Sequence, residues 1–285
     1  MAWMALPVSF AVALAVVPAG VRALENAGML RANYAGRELA VPLGAVLVAA
    51  ALVALAPLAP LDDRADINLL DGELRRWFAY VIGVAFLGLF DDALGRGEQP
   101  DSERGWRGHA RAVLSGRLST GAVKAIGALA LAAYATSGLG RESLDYVVDL
   151  ALLLLATNLA NLLDLRPGRA EKALLLVAAG LCIGYWTLEP VELLGLFCGP
   201  VAVGAYFTLR ERAMLGDTGS NMIGALIGIW LVTTLSDPGR LIALGVLIVL
   251  TVYGEFRSIS STIERVPPLK QLDSLGRVDE PNQAR

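Results

Sequence analysis

Val41-Pro42-Leu43-Gly44-Ala45-Val46-Leu47-Val48-Ala49-Ala50-Ala51-Leu52-Val53-Ala54-Leu55-Ala56-Pro57-Leu58-Ala59-Pro60 contains no charged side chain. A helix rising 1.5 Å per residue needs about 20 apolar residues to cross a hydrocarbon core about 30 Å thick. Working outward from this stretch, similar apolar runs recur, and spans are expected over about 4–22, 41–60, 74–91, 119–138, 145–163, 172–188, 190–208, 220–236 and 240–258. Composition agrees. Of the 285 residues 55% are hydrophobic and 18% charged, with a mean hydropathy of +0.57, whereas a soluble domain carries about 25% charged residues. The expected fold class is an all-α integral membrane protein of about nine transmembrane helices. Residues 1–258 form the membrane domain and 259–285 a C-terminal tail.

Charge then orients the chain. Basic residues concentrate in alternate connections: Arg22, Arg31 and Arg37; Arg96, Arg104, Arg107, Arg111 and Arg117; Arg166, Arg169 and Lys172; Arg210 and Arg212; and the tail after Arg257. The intervening loops hold only Arg64, Arg141 and Arg240, with Arg75 and Arg76 at the entry to the third span. Positive charge stays inside, so the N-terminus is expected outside and the C-terminus in the cytoplasm of a multi-pass protein of the cell (inner or plasma) membrane. No Lys or Arg precedes the stretch Met4 to Val21, which argues for a retained first helix over a cleaved signal peptide. A net charge of −3, with cations sorted by side, offers no nucleic-acid-binding patch. Cys182 and Cys198 lie in apolar runs and imply neither a disulfide nor a thiolate metal site. The long loop 92–118 is expected to carry an interfacial helix around Trp106 to Leu114, with Arg107, Arg111 and Arg117 as a landing surface for anionic lipid. The tail from Ser258 is expected along the membrane surface.

Polar groups are costly in lipid, so those retained near the spans carry information. The third span ends Phe90-Asp91-Asp92, two carboxylates at the negative end of a helix dipole, an arrangement that calls for a cation. In the fifth span Asn158, Asn161 and Asp164 recur every third residue and share one face, descending to the cytoplasmic end. The eighth opens Leu215-Gly216-Asp217-Thr218-Gly219-Ser220, small residues before a helix whose free amides suit an anion. Ordinary readings exist for each: a solvated pair at the membrane edge, an Asn pair joining helices, and an N-cap. All three motifs nevertheless fall on the same expected membrane face.

Together these motifs resemble the signatures of the polyprenyl-phosphate N-acetylhexosamine-1-phosphate transferases (MraY/WecA-like). The likeness runs over about residues 20–260 and also takes in Asn33-Tyr34-Ala35-Gly36 and Lys124. It implies transfer of a sugar-1-phosphate from a nucleotide-sugar, a UDP-N-acetylhexosamine, to polyprenyl phosphate, with release of UMP and dependence on Mg²⁺. It further implies that Asp217 is the principal metal ligand and that Asp91 or Asp92 assists, with Asp92 taken as the second ligand. Lys124 would meet a phosphate as a point charge. Asn158, Asn161 and Asp164 would line the nucleotide-sugar pocket, with Gly219 and Ser220 in the anion cradle. A homodimer is left open.

The chain departs from the family pattern at three points. Where the family continues its stripe as Asp-Gly-x-Asp-Gly, this chain has Asp164-Leu165-Arg166-Pro167-Gly168-Arg169, so a carboxylate is replaced by Pro167, and Arg166 and Arg169 offer phosphate contacts instead. The family's His-rich loop is missing; the only histidine, His109, sits in the long basic loop as a candidate substrate contact. The family's last helix is also missing, and no basic residue directly follows the Asp pair. A simple N-acetylhexosamine is therefore expected over a larger muramoyl-peptide donor. The alternative is a non-catalytic polyprenyl-phosphate-binding protein of the same fold, acting with cell-envelope partners.

Overall fold

The computed structural model describes residues 2–65, 72–94 and 120–277. His109, the expected interfacial helix, the Arg107, Arg111 and Arg117 surface and the end of the tail from Val278 lie outside the described residues. In chain order the helices are α1 (Ala5–Asn26), α2 (Leu43–Ala65), α3 (Gly72–Leu94), α4 (Thr120–Thr136), α5 (Ser143–Leu163), α6 (Arg169–Tyr185), α7 (Glu189–Leu193), α8 (Gly195–Leu209), α9 (Gly216–Thr234), α10 (Asp237–Phe256), α11 (Ile259–Arg265) and α12 (Pro267–Ser274). Each stretch expected as a span is helical. The seventh is interrupted at Leu194, where the backbone leaves helical geometry and Gly195 comes against the start of α1 at Leu6. Of these helices α1, α2, α3, α5 and α10 are long and apolar enough to cross a membrane, and α4 and α8 are apolar but shorter.

The chain is mostly helical, as expected, with one short hairpin besides. Strands β1 (Leu30–Ala32) and β2 (Glu38–Ala40) pair antiparallel, Arg31 opposite Leu39. The hairpin turns because the Asn33 side-chain oxygen accepts from the Ala35 and Arg37 amides, while Gly36 supplies a positive φ of 77°. The strand then continues into a backbone bridge between Ala40 and Ala213, so the hairpin is sewn to the loop that leads into α9.

Helix α9 is the central post. It packs on α2, α3, α5 and α6, and its side chains from Thr218 to Trp230 are all buried. Gly216, Ser220, Gly224 and Gly228, four residues apart, form a small-residue stripe that lets neighbouring backbones close in. A Cβ at Gly224 would collide with Thr157 of α5, one at Gly44 with the Gly219 backbone, and one at Gly88 with the Asp217 carbonyl. Three helices therefore meet α9 at van der Waals range, α2 and α3 at its first turn and α5 two turns further on. By contrast only 11% of the apolar stretch of α10 is buried. Leu241, Ile242, Val246, Val249, Val252 and Phe256 stand outward as an apolar face suited to lipid. The hairpin, the ends of α3 and α5, the 210–216 loop and the tail gather at one end of the bundle, the same segments the basic-residue pattern places on one side.

Candidate functional site

The two carboxylates ending α3 find different answers to their unfavourable position. Asp92, 5% exposed, accepts from the Asp217 amide at 3.1 Å, the Thr218 amide at 2.9 Å and the Thr218 hydroxyl at 2.7 Å. The negative end of α3 is thus joined to the positive end of α9, and the amides expected to cradle a substrate anion hold a carboxylate of this chain. Arg31 of the hairpin stands 3.9 Å from the same carboxylate. Asp91 faces the other way. Lys124 of α4 lies 3.6 Å from Asp91 and 2.5 Å from Asp217, bridging the two acids, and the Asp91 carboxyl is within hydrogen-bonding reach of that of Asp217.

These three residues open onto a cavity of about 480 Å³ between α4, α5 and α9. Asn158 and Asn161 line it as the every-third-residue stripe requires, joined by Thr157 and Asn221. Asn161 reaches Asp217 and accepts from the Ser220 hydroxyl at 3.2 Å. Below, the buried Tyr80 hydroxyl lies 3.2 Å from both the Leu153 carbonyl and the Thr157 hydroxyl, and the Asn221 amide donates to the Val84 carbonyl at 3.3 Å. The floor is therefore polar yet fixed by hydrogen bonds to backbone. Gly219 and Ser220 pack inside the helix cluster and do not line this cavity.

Asp164 ends the stripe half-buried, in a small cleft of about 40 Å³ with Asn33, Tyr34, Arg166 and Pro167. Burial lifts its carboxyl well above the usual carboxylate range, and the charges of Glu171, Asp217 and Asp92 lift it further. Arg166 stacks 3.9 Å over the Tyr34 ring and pairs with Glu264 at 3.0 Å. Arg169 is 4% exposed and clasps Asp273 with two nitrogens at 2.7 and 3.0 Å. Both arginines, expected at a substrate phosphate, thus hold tail carboxylates away from the Lys124 cavity. The tail folds back onto the 164–172 segment.

Three residues of the site went unnoticed in the sequence. Thr157 and Asn221 adjoin recognised motifs and could have been found by extending them one residue. Glu211 could not: in the left-handed region at φ 49°, its carboxylate gathers Asn33, Tyr34 and Arg37 and pins the hairpin. Among the described residues no three His, Cys, Asp or Glu side chains form a metal cage. No protein-family model matches the chain, and no curated protein matches it.

Proposed function

We propose that the protein is a membrane sugar-1-phosphate transferase that joins a nucleotide-sugar, a UDP-N-acetylhexosamine, to polyprenyl phosphate at the cytoplasmic face of the cell membrane. All nine apolar stretches then act as spans, with the N-terminus outside. The observation that carries this is the convergence of Asp91, Lys124 and Asp217 on one polar cavity at the end of an apolar helical bundle. A substrate with a long lipid tail and a charged head needs such a place.

The reaction has to bring two anions together. A phosphate oxygen of the lipid attacks the β-phosphorus of the donor, the bond to the UMP oxygen breaks, and UMP leaves with the electron pair. Lys124 supplies positive charge where the phosphates meet, from an ammonium already held between two carboxylates. Asn158, Asn161 and Asn221 offer amides along the wall for the neutral part of the donor. Mg²⁺ fits the acids present, since that ion uses one or two carboxylates and takes its remaining ligands from water and substrate phosphates. Asp217 and Asp91 would hold it. Asp92, the ligand named from the sequence, is engaged by α9 at both oxygens. Bound there, the ion would neutralise diphosphate charge.

Release of UMP by the purified protein, with undecaprenyl phosphate, Mg²⁺ and a panel of UDP-sugars, tests this. Release that needs both lipid and metal supports the transferase and names the donor. The rival, a non-catalytic polyprenyl-phosphate binder, is favoured by one feature: Lys124 already pairs with both acids without a metal. Lipid binding with no turnover across the panel would select that rival.

A further inference from the structure

Arg169, Lys172 and Arg277 converge on a single residue, Asp273. Asp273 fills the Arg169 fork with both oxygens, and a third Arg169 nitrogen donates to the Ser260 hydroxyl at 2.6 Å. Arg277 adds a bond to the same carboxylate at 2.7 Å, and Lys172 donates to the Asp273 backbone carbonyl at 2.5 Å. The adjacent acid, Glu171, is buried and engaged by the Thr208 hydroxyl. On the bundle side, the Arg169 fork, with the Lys172 ammonium beside it on the Asp273 main chain, provides more donors and more charge than one carboxylate uses, and the pair matches a phosphate better.

The tail that brings Asp273 there is held by little else. Helices α11 and α12 contribute no buried residue. Apolar contact is partial, with Ile259, Ile263 and Leu272 half-buried, and the polar ties are Glu264 to Arg166 at 3.0 Å and, just beyond α12, the Arg277 guanidinium to the Pro167 carbonyl at 2.9 Å. A segment docked by ion pairs with no fully buried side chain can be displaced by an anion that makes the same bonds, because a buried guanidinium needs an anionic partner but not a particular one. Asp164, Arg166 and Pro167 line the neighbouring cleft, and Asp164 closes the stripe that begins at the Lys124 cavity.

We propose that Arg169 and Lys172 form a subsite for a phosphate-class anion, and that Asp273 of the folded-back tail occupies it until such an anion displaces it. The subsite stands on its own geometry; that it serves the donor nucleotide rests on the transferase reading. The test is amide hydrogen exchange of residues 259–277 in the full chain, reconstituted in nanodiscs. Inorganic pyrophosphate added to neutral-lipid discs should raise exchange across 259–277, which assigns the subsite to a soluble phosphate. A rise only in discs containing anionic phospholipid assigns it to a lipid headgroup. No rise in either overturns the proposal. Asp273→Asn should bind pyrophosphate about tenfold more tightly than the unaltered chain, since the internal competitor is weakened. Should that variant not fold, Glu264→Gln, at an exposed pair, should still tighten binding. Unchanged affinity in whichever of them folds overturns the proposal. None of these readouts needs turnover, so an inactive transferase would not mimic failure here.

Discussion

At the end of the bundle away from the cavity, Asp149 is fully buried against Arg240, which is 1% exposed, at 2.5 Å, and Arg141 approaches from the other side at 3.1 Å. Arg240 reaches on to Asp237 and Asp145, and Arg141 to the Val232 carbonyl. At the cavity end, Asp91 and Asp217 share one lysine and face open space, with Asp92 and Asp164 nearby. Both ends bury charge. The first pairs its fully buried acid, Asp149, with two arginines and staples α5 to α10; the second leaves Asp91 and Asp217 with one lysine beside a cavity. In a membrane bundle, buried charge alone is a poor guide to function, and its incomplete compensation is the better one.

The sharpest break between the two ends should come from Asp149→Ala. It removes the one buried acid that Arg240 meets, leaving only Asp237 and Asp145, and should destabilise the protein by about 3 kcal/mol, seen as a lower melting temperature in detergent. Asp149→Leu combined with Arg240→Met should recover most of that loss. An unshifted melt for the single variant would mean the network is not a staple.

At the cavity end the consequence should be reversed. Asp217→Asn should reduce lipid- and Mg²⁺-dependent UMP release by about 10²–10³-fold while the melting temperature hardly moves. Normal turnover would remove Asp217 from the chemistry. Asp92→Asn lies between these cases. It weakens a carboxylate bound to the α9 amides and should destabilise by about 1–2 kcal/mol, and full stability would show that the helix junction holds without that charge.

The smallest effect is a pH dependence. Burial and neighbouring acids raise the folded-state pKa of Asp164 above its unfolded value. The stability linked to its protonated form is therefore present below the unfolded pKa and lost as pH rises through the folded one. Without divalent ions, Asp164→Asn should melt like the unaltered chain at low pH and above it as pH increases. A gap that closes with rising pH would contradict the assigned direction.

The helices were the most legible part of the chain. Spanning length and lack of charge are local properties, and each expected stretch is helical, though the seventh breaks at Leu194. The every-third-residue stripe likewise put Asn158 and Asn161 on one wall. Less legible was what each polar group would meet. Asp91 and Asp92 look equivalent in sequence, yet the rotation of about 100° between successive helix positions sends Asp92 to the α9 amides and Asp91 to Lys124. Arg166 and Arg169 read as phosphate ligands because their carboxylate partners, Glu264 and Asp273, lie about a hundred residues away in the chain. The short hairpin escaped because it is held by Glu211 and the Ala40–Ala213 bridge more than by its own alternation.

By itself, then, the sequence determined a mostly helical chain with membrane-spanning character and an order of motifs along it, because hydrophobicity and helical period act within a single segment. Only the tertiary structure decided which carboxylate faces the cavity, which caps a helix and which arginines are already taken. Those outcomes depend on long-range pairing and on glycine contacts that bring α2, α3 and α5 onto α9, and a charged side chain has no fate until the partner that neutralises it has been folded into place.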